Sequence, residues 1–271
     1  MKLILPQVQI LHQEKGINGV FKAIAQAGRV CYASTRKGDE EEFVQRCIRM
    51  NHMRPLEFGT VYLKFDKSDK DVSFYKKNPY SKVVCDKDYA YITTNYRVII
   101  ENNHLKDIKF LVEPTLHKKR ITFLWTISRG IADEFRTHVS LSSLMESTRY
   151  CAYNKDKFNN EITFIIPTWM MCDDYLSLSE EELTIRKEYD IALTQAEEHY
   201  LNLTNAGVKA ENARGVLPLD VKTTFVQCGF EDDWVHFFDL RSKGTTGKPH
   251  PDAKFIADKA LELFKEYGNR T

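Results

Sequence analysis

The chain has 271 residues, enough to bury a hydrophobic core in one large domain or two small ones without disulfide or metal staples. Its 39 basic and 38 acidic residues leave almost no net field, which argues against whole-protein attraction to nucleic acid or membranes, and no window approaches the roughly 20 apolar residues needed to cross a bilayer. Cys31, Cys47, Cys85, Cys151, Cys172 and Cys228 form no C-x-x-C pair, which argues against a zinc ribbon or a secreted disulfide framework and fits a reducing, cytoplasmic compartment.

Alternation of Leu3, Leu5, Val8 and Ile10 predicts a first strand; Pro6 and Gln7 interrupt the apolar stretch and argue against a cleaved leader. Residues 19–27 carry apolar side chains at helical spacing. Asp39 followed by three glutamates predicts a capped amphipathic helix with Phe43, Val44, Cys47 and Ile48 on one face, ending near His52. TVYLKF at 60–65 and RITFLWTI at 120–127 alternate and are rich in strand formers. Between them, residues 66–119 are rich in Lys, Asp and Tyr and read as an inserted, β-rich surface hairpin with little prospect of a catalytic role. Ser179 and three glutamates open the longest predicted helix, carrying Leu183, Leu193 and Tyr200 and closed by Gly207. Further helices are predicted over 232–240 and 251–267. With no repeat or linker, the reading is one α+β domain over 1–271, a mixed sheet packed against long helices.

The common nucleotide-binding loops, G-x-x-x-x-G-K-[ST] and G-x-G-x-x-G, do not occur, nor does the G-x-S-x-G of serine hydrolases. The eight histidines form no H-x-x-x-H pair, so no metal site is expected. What stands out is RTHVSLSSLMESTRY at 136–150, where arginines, a histidine, hydroxyls and a glutamate crowd together. Its bland reading is a helix followed by a solvated polar loop. Arg214 in NARGVLPLD and Arg241 in HFFDLRSKG stand among apolar residues, where a guanidinium needs a partner. A structural carboxylate is the usual one, but Arg149, Arg214 and Arg241 together would suit a phosphate-bearing substrate, which guanidinium grips in a two-pronged way.

In these blocks the chain resembles the flavin-dependent thymidylate synthase family, whose signature is Arg-His-Arg, seven residues, then Ser, continuing into Arg-Tyr. Here His138 holds the middle position, and seven residues separate Val139 from Ser147, which Thr148, Arg149 and Tyr150 follow. ESTRYCAYNKDKFNNEITFIIP, ENARGVLPLDVKTTF and WVHFFDLR match the family's pattern in order, and HMRPLEFGTVYLKF resembles its block with a flavin-contacting glutamate, here Glu57. The resemblance implies a homotetramer with active sites where subunits meet, FAD as cofactor, and dUMP, methylenetetrahydrofolate and NADPH as ligands. The folate would supply the carbon, the nicotinamide would reduce the flavin, and the flavin would complete the methyl group of dTMP.

By matched positions, Glu146, Ser147, Thr148, Arg149, Arg214 and Arg241 would surround dUMP, while Glu57, His138 and His236 would lie along FAD. Arg241 is the catalytic candidate, because a fixed cation near the uracil carbonyls stabilises charge developing on the ring. Ser147 has no evident local base and is assigned to binding. Both signature arginines are replaced, by Thr137 and Val139, and Phe230 stands where the family has a flavin-contacting asparagine. Thr137 therefore marks a position only, and Arg136, one residue early, or Arg54 would have to bring a cation to FAD from another direction. Two other readings stay open: a diverged pyrimidine-nucleotide hydroxymethyltransferase, and a non-catalytic nucleotide-binding homologue.

Overall fold

Pro6 divides the alternating stretch at residues 3–10 into two strands with different partners. Proline has no N–H for a ladder and a fixed φ. In the computed structural model β1 (Lys2–Ile4) therefore pairs in parallel with residues 163–165, and β2 (Gln7–Leu11) pairs antiparallel with residues 122–126. The single strand expected there is thus two. The structure describes residues 1–31, 38–68, 72–149, 151–155, 158–172 and 178–269.

After β2 come α1 (Gly16–Val30) and α2 (Glu40–Arg49); the Asp39 carboxylate caps α2 by accepting the N–H groups of Glu41 and Glu42 at 2.9 and 3.3 Å. Next follow β3 (Thr60–Asp66), α3 (Ser73–Lys77), β4 (Lys82–Cys85), β5 (Tyr89–Asn95) and α4 (Tyr96–Glu101). The stretch read as a surface hairpin does contain one, β4–β5, but β5 is the middle strand of a sheet ordered β3-β5-β4. Ala90, Ile92 and Tyr96 are buried in one cluster with Val20, Ile24, Val61 and Leu63. The polar composition belongs to the turns; the central strand is core, paired on both sides.

The remaining elements are β6 (Arg120–Ser128), α5 (Arg129–Phe135), β7 (Ser142–Met145), β8 (Thr163–Ile165), α6 (Glu180–Asn205), α7 (Ala210–Ala213), β9 (Lys222–Phe230), α8 (Glu231–Phe238) and α9 (Pro251–Asn269). β2, β6, β9 and β7 form a four-stranded antiparallel sheet in that order, and β1 pairs with β8. Successive side chains of β9 point to opposite faces, and both faces are covered. Phe225 packs with Trp125, Trp234, Phe237 and Ile256 on the α8 and α9 side, whereas Val226 and Cys228 meet Ala27 of α1 and Phe58. α6 opens with the expected capping box between Ser179 and Glu182 and lays Leu193 and Tyr200 over Tyr153 and Phe164. This is the expected α+β architecture, and both the end of α1 and the start of α5 bond to the chain as it leaves β7.

Candidate active site

Residues 136–150 are neither one helix nor a free loop. α5 ends at Phe135 with Arg136 as its C-cap, a turn leads into β7, and the chain then leaves the sheet through residues 146–149. Two backbone bonds fix that exit: Glu146 N–H to the Thr224 carbonyl of β9 at 2.9 Å, and Ser147 N–H to the Cys31 carbonyl at the end of α1 at 3.0 Å. Glu146 is 2% exposed. Its Oε2 accepts from Lys222 Nζ at 2.8 Å and Thr224 N at 3.3 Å, while Oε1 is buried without a partner among the described residues. Thr148 Oγ1 accepts from Arg214 Nη1 at 3.1 Å. Glu146, Ser147, Thr148 and Arg214, with Cys31, Arg129 and Arg136, line a recess of about 290 Å³.

Four of the six residues matched to dUMP thus share one cavity. Arg149 does not line it, and its Nε lies 3.3 Å from Glu211 Oε2 of α7; Tyr150 lies outside the described residues. The apolar surroundings inferred for Arg214 are not an enclosure, because Arg214, Val216 and Leu219 are all exposed. Burial pushes the Cys31 thiol pKa upward, so it is a poor nucleophile there.

Arg241 is held elsewhere, on a π-helical turn over Asp239–Lys243 that follows α8. Its Nε donates to His138 Nε2 at 3.0 Å, Nη1 to the Glu134 carboxylate at 2.8 Å, and Nη2 to the Glu134 carbonyl at 2.9 Å and Thr137 Oγ1 at 3.2 Å. His138 is buried against Phe237, with the His236 ring 6.1 Å away. Burial first, then Arg241 and His236, push its pKa down to about 4. It is a neutral imidazole with Nε2 as acceptor. Val139 on the same turn is 93% exposed. Thr137, His138, His236 and Arg241 therefore come together, but none of them lines the recess.

The third group is built on the turn Arg54–Phe58. Glu57, buried, accepts from Arg97 Nη1 of α4 at 2.7 Å, lies 3.7 Å from Arg54 Nε, and Arg97 Nε reaches Glu101 at 2.9 Å. Arg29, Phe43, Arg46, Arg54 and Arg97 line a cleft of about 1000 Å³. Cys31 and Leu144 line both this cleft and the recess, so the two cavities adjoin. A dinucleotide fits such a cleft in size. Guanidiniums line it, and the Phe43 ring, with Arg29 and Arg46 5.8 and 5.4 Å from its centroid, offers an aromatic face. Arg136 lines the recess instead, paired with Asp133 at 3.2 Å. Phe230 takes the Arg120 and Lys82 side chains over its ring.

Residues 96–267, more than half of the chain, match the model of the thymidylate synthase complementing protein family. The chain belongs to this family. The match begins at Tyr96, inside the stretch read as an insertion, and so includes Arg97. A probable flavin-dependent thymidylate synthase of Paramecium bursaria Chlorella virus 1 is 33% identical over 81 residues, 30% of this chain and 36% of that relative's length. Among solved structures, a UMP/dUMP methylase, PolB, from Streptomyces cacaoi bound with 5-Br dUMP has a TM-score of 0.50 at 15% identity, over 98% of this chain and 93% of that one. The same enzyme bound with 5-Br UMP gives 0.50 at 14% identity, over 98% and 92%. These two likenesses are of fold. Among the described residues no cluster of His, Cys, Asp and Glu could hold a metal ion, and no helix is long and apolar enough to cross a membrane.

Sequence reasoning missed Arg97, Arg129, Glu134 and Lys222. Arg97 was hidden by the polar composition around it. Glu134 meets Arg241 across 107 residues of chain, and no local pattern signals that pairing.

Proposed function

We propose that the chain transfers a one-carbon unit from methylenetetrahydrofolate to dUMP, with flavin-mediated reduction, to give dTMP. The observation that supports this most is the pair of adjoining cavities: a recess of nucleotide size built from Glu146, Ser147, Thr148 and Arg214, and a dinucleotide-sized cleft beside it. In this reading FAD occupies the cleft near Glu57, Arg54 and Arg97, and supplies the reducing equivalents that NADPH provides.

The protein's own part is to bind and polarise. Arg214 holds the Thr148 hydroxyl at the recess, and Ser147 presents a second hydroxyl whose Oγ accepts only from Arg149 N, at 3.3 Å, among the described residues. Glu146, steadied by Lys222, keeps a buried acceptor oxygen that suits the imide N–H of a pyrimidine. Because Arg241, His138, Thr137 and His236 line neither cavity of their own subunit, we take them to complete the site of a neighbouring subunit in a homotetramer. The exposed Val139 and Val235 on that face are suited to being covered. Arg241 then stabilises charge developing on the uracil ring.

The test is product mass after incubation with dUMP or UMP, methylenetetrahydrofolate, NADPH and FAD. A product heavier by one methylene unit is expected from dUMP. A hydroxymethylated product, or nucleotide binding without turnover, would replace this reading with a diverged transferase or a non-catalytic binder.

A further inference from the structure

Charge at the recess does not balance within the protein. Glu146 is paired with Lys222 at 2.8 Å, and Arg136 with Asp133 at 3.2 Å. Arg129 and Arg214 have no carboxylate partner among the described residues. Arg214 donates to Thr148 Oγ1 at 3.1 Å. Arg129 donates Nη2 to the Glu146 carbonyl at 2.5 Å, places Nη1 4.0 Å from Met145 Sδ, and leaves Nε buried without a partner among the described residues.

A half-buried guanidinium without a counter-charge is costly, as Arg129 is at the start of α5, and it lines the same cavity as the exposed Arg214 just after α7. Together they match the charge of a phosphate monoester, about −1.5 to −2 at neutral pH. We propose that Arg129, with Arg214, binds the phosphate of the substrate nucleotide, an assignment that rests on reading the recess as the nucleotide site. Bonding of Nη2 to the exit of β7 fixes the plane of the group, and Nη1 keeps N–H donors for phosphate oxygens. A side chain held in place before binding loses little rotamer freedom when the ligand arrives.

Calorimetric titration of the whole protein with dUMP and with deoxyuridine, on wild type, Arg129→Gln and Arg129→Lys, tests it. Wild type should prefer dUMP. Arg129→Gln should lose at least about tenfold in dUMP affinity with deoxyuridine binding unchanged, and Arg129→Lys should fall between, since it keeps the charge without the fork. Wild type that does not distinguish the two ligands would defeat the nucleotide reading of the recess. Preserved preference in wild type, with Arg129→Gln binding dUMP normally or losing both ligands in parallel, would defeat the assignment of Arg129 alone. Should the variants not fold, wild type treated with phenylglyoxal decides: dUMP should slow modification of Arg129 several-fold and deoxyuridine should not, and equal rates overturn the proposal.

Discussion

Arg241 donates its Nε–H to Nε2 of His138 at 3.0 Å, so a permanent cation rests against an imidazole that must stay neutral. In the unfolded chain a histidine takes up its proton near pH 6.5, but in the fold this one does so only near 4. Between these values the unfolded state binds more protons, so the contribution of His138 to stability is complete above about pH 6.5 and is lost as pH falls toward 4. Urea unfolding at about pH 7.5 and about pH 5 should show wild type losing about 2 kcal/mol more on acidification than His138→Asn. Equal losses in the two proteins would show that His138 is not held neutral.

Ser147→Ala should fold normally and keep measurable turnover, with kcat reduced by no more than about tenfold. Among the described residues no base reaches its Oγ, which accepts from the Arg149 N–H at 3.3 Å. Complete loss of activity in folded protein, under saturating dUMP, would make Ser147 a nucleophile after all.

Arg97→Ala should weaken FAD binding by at least about tenfold, read by flavin fluorescence, while Arg97→Lys restores part of it. Removing Arg97 leaves the Glu57 carboxylate, among the described residues, with the 3.7 Å contact to Arg54. Because Arg97 is 34% exposed, the loss of global stability should be small, about 1 kcal/mol. Unchanged FAD affinity in Arg97→Ala would remove Glu57 from the flavin site.

Gly28→Ala probes the cleft wall. A Cβ there would lie 2.6 Å from Phe43 Cζ and 3.3 Å from Pro55 Cβ, so the ring has to shift, and its contacts with Arg29 and Arg46 change with it. The variant should be destabilised by about 1 to 3 kcal/mol and should bind FAD more weakly than its stability loss alone explains. Wild-type stability in thermal unfolding, with unchanged flavin affinity, would show that Phe43 yields freely.

The parts of this fold that were legible in the sequence are those set by short-range chemistry. The Asp39 cap, the Ser179–Glu182 capping box and the alternation of β3 and β6 each depend on residues within a few positions of one another. Resemblance supplied residues of all three groups but not their separation. Four dUMP positions share the recess, whereas Arg241 joins His138 across 103 residues of chain. Partners of charged groups were the least legible: Glu57 finds Arg97 40 positions away, and Arg129 reaches the Glu146 carbonyl across 17. Which strands lie side by side decides those meetings, and a local pattern carries no record of it. β5 was misjudged for the same reason, since being flanked by β3 and β4 buries it whatever its turns are made of.

The parallel pairing of Lys2 with Thr163 and Ile4 with Ile165 also sets an order of events during synthesis. β1 leaves the ribosome long before its partner exists, and β2 likewise waits for β6. β3, β4 and β5 can meanwhile pair among themselves, because their contacts close short loops and cost little chain entropy. The stretch that reads as a single strand is thus an unpaired apolar segment through much of translation, a place where a nascent-chain binder would hold on, and its docking closes the fold only after β8 has emerged.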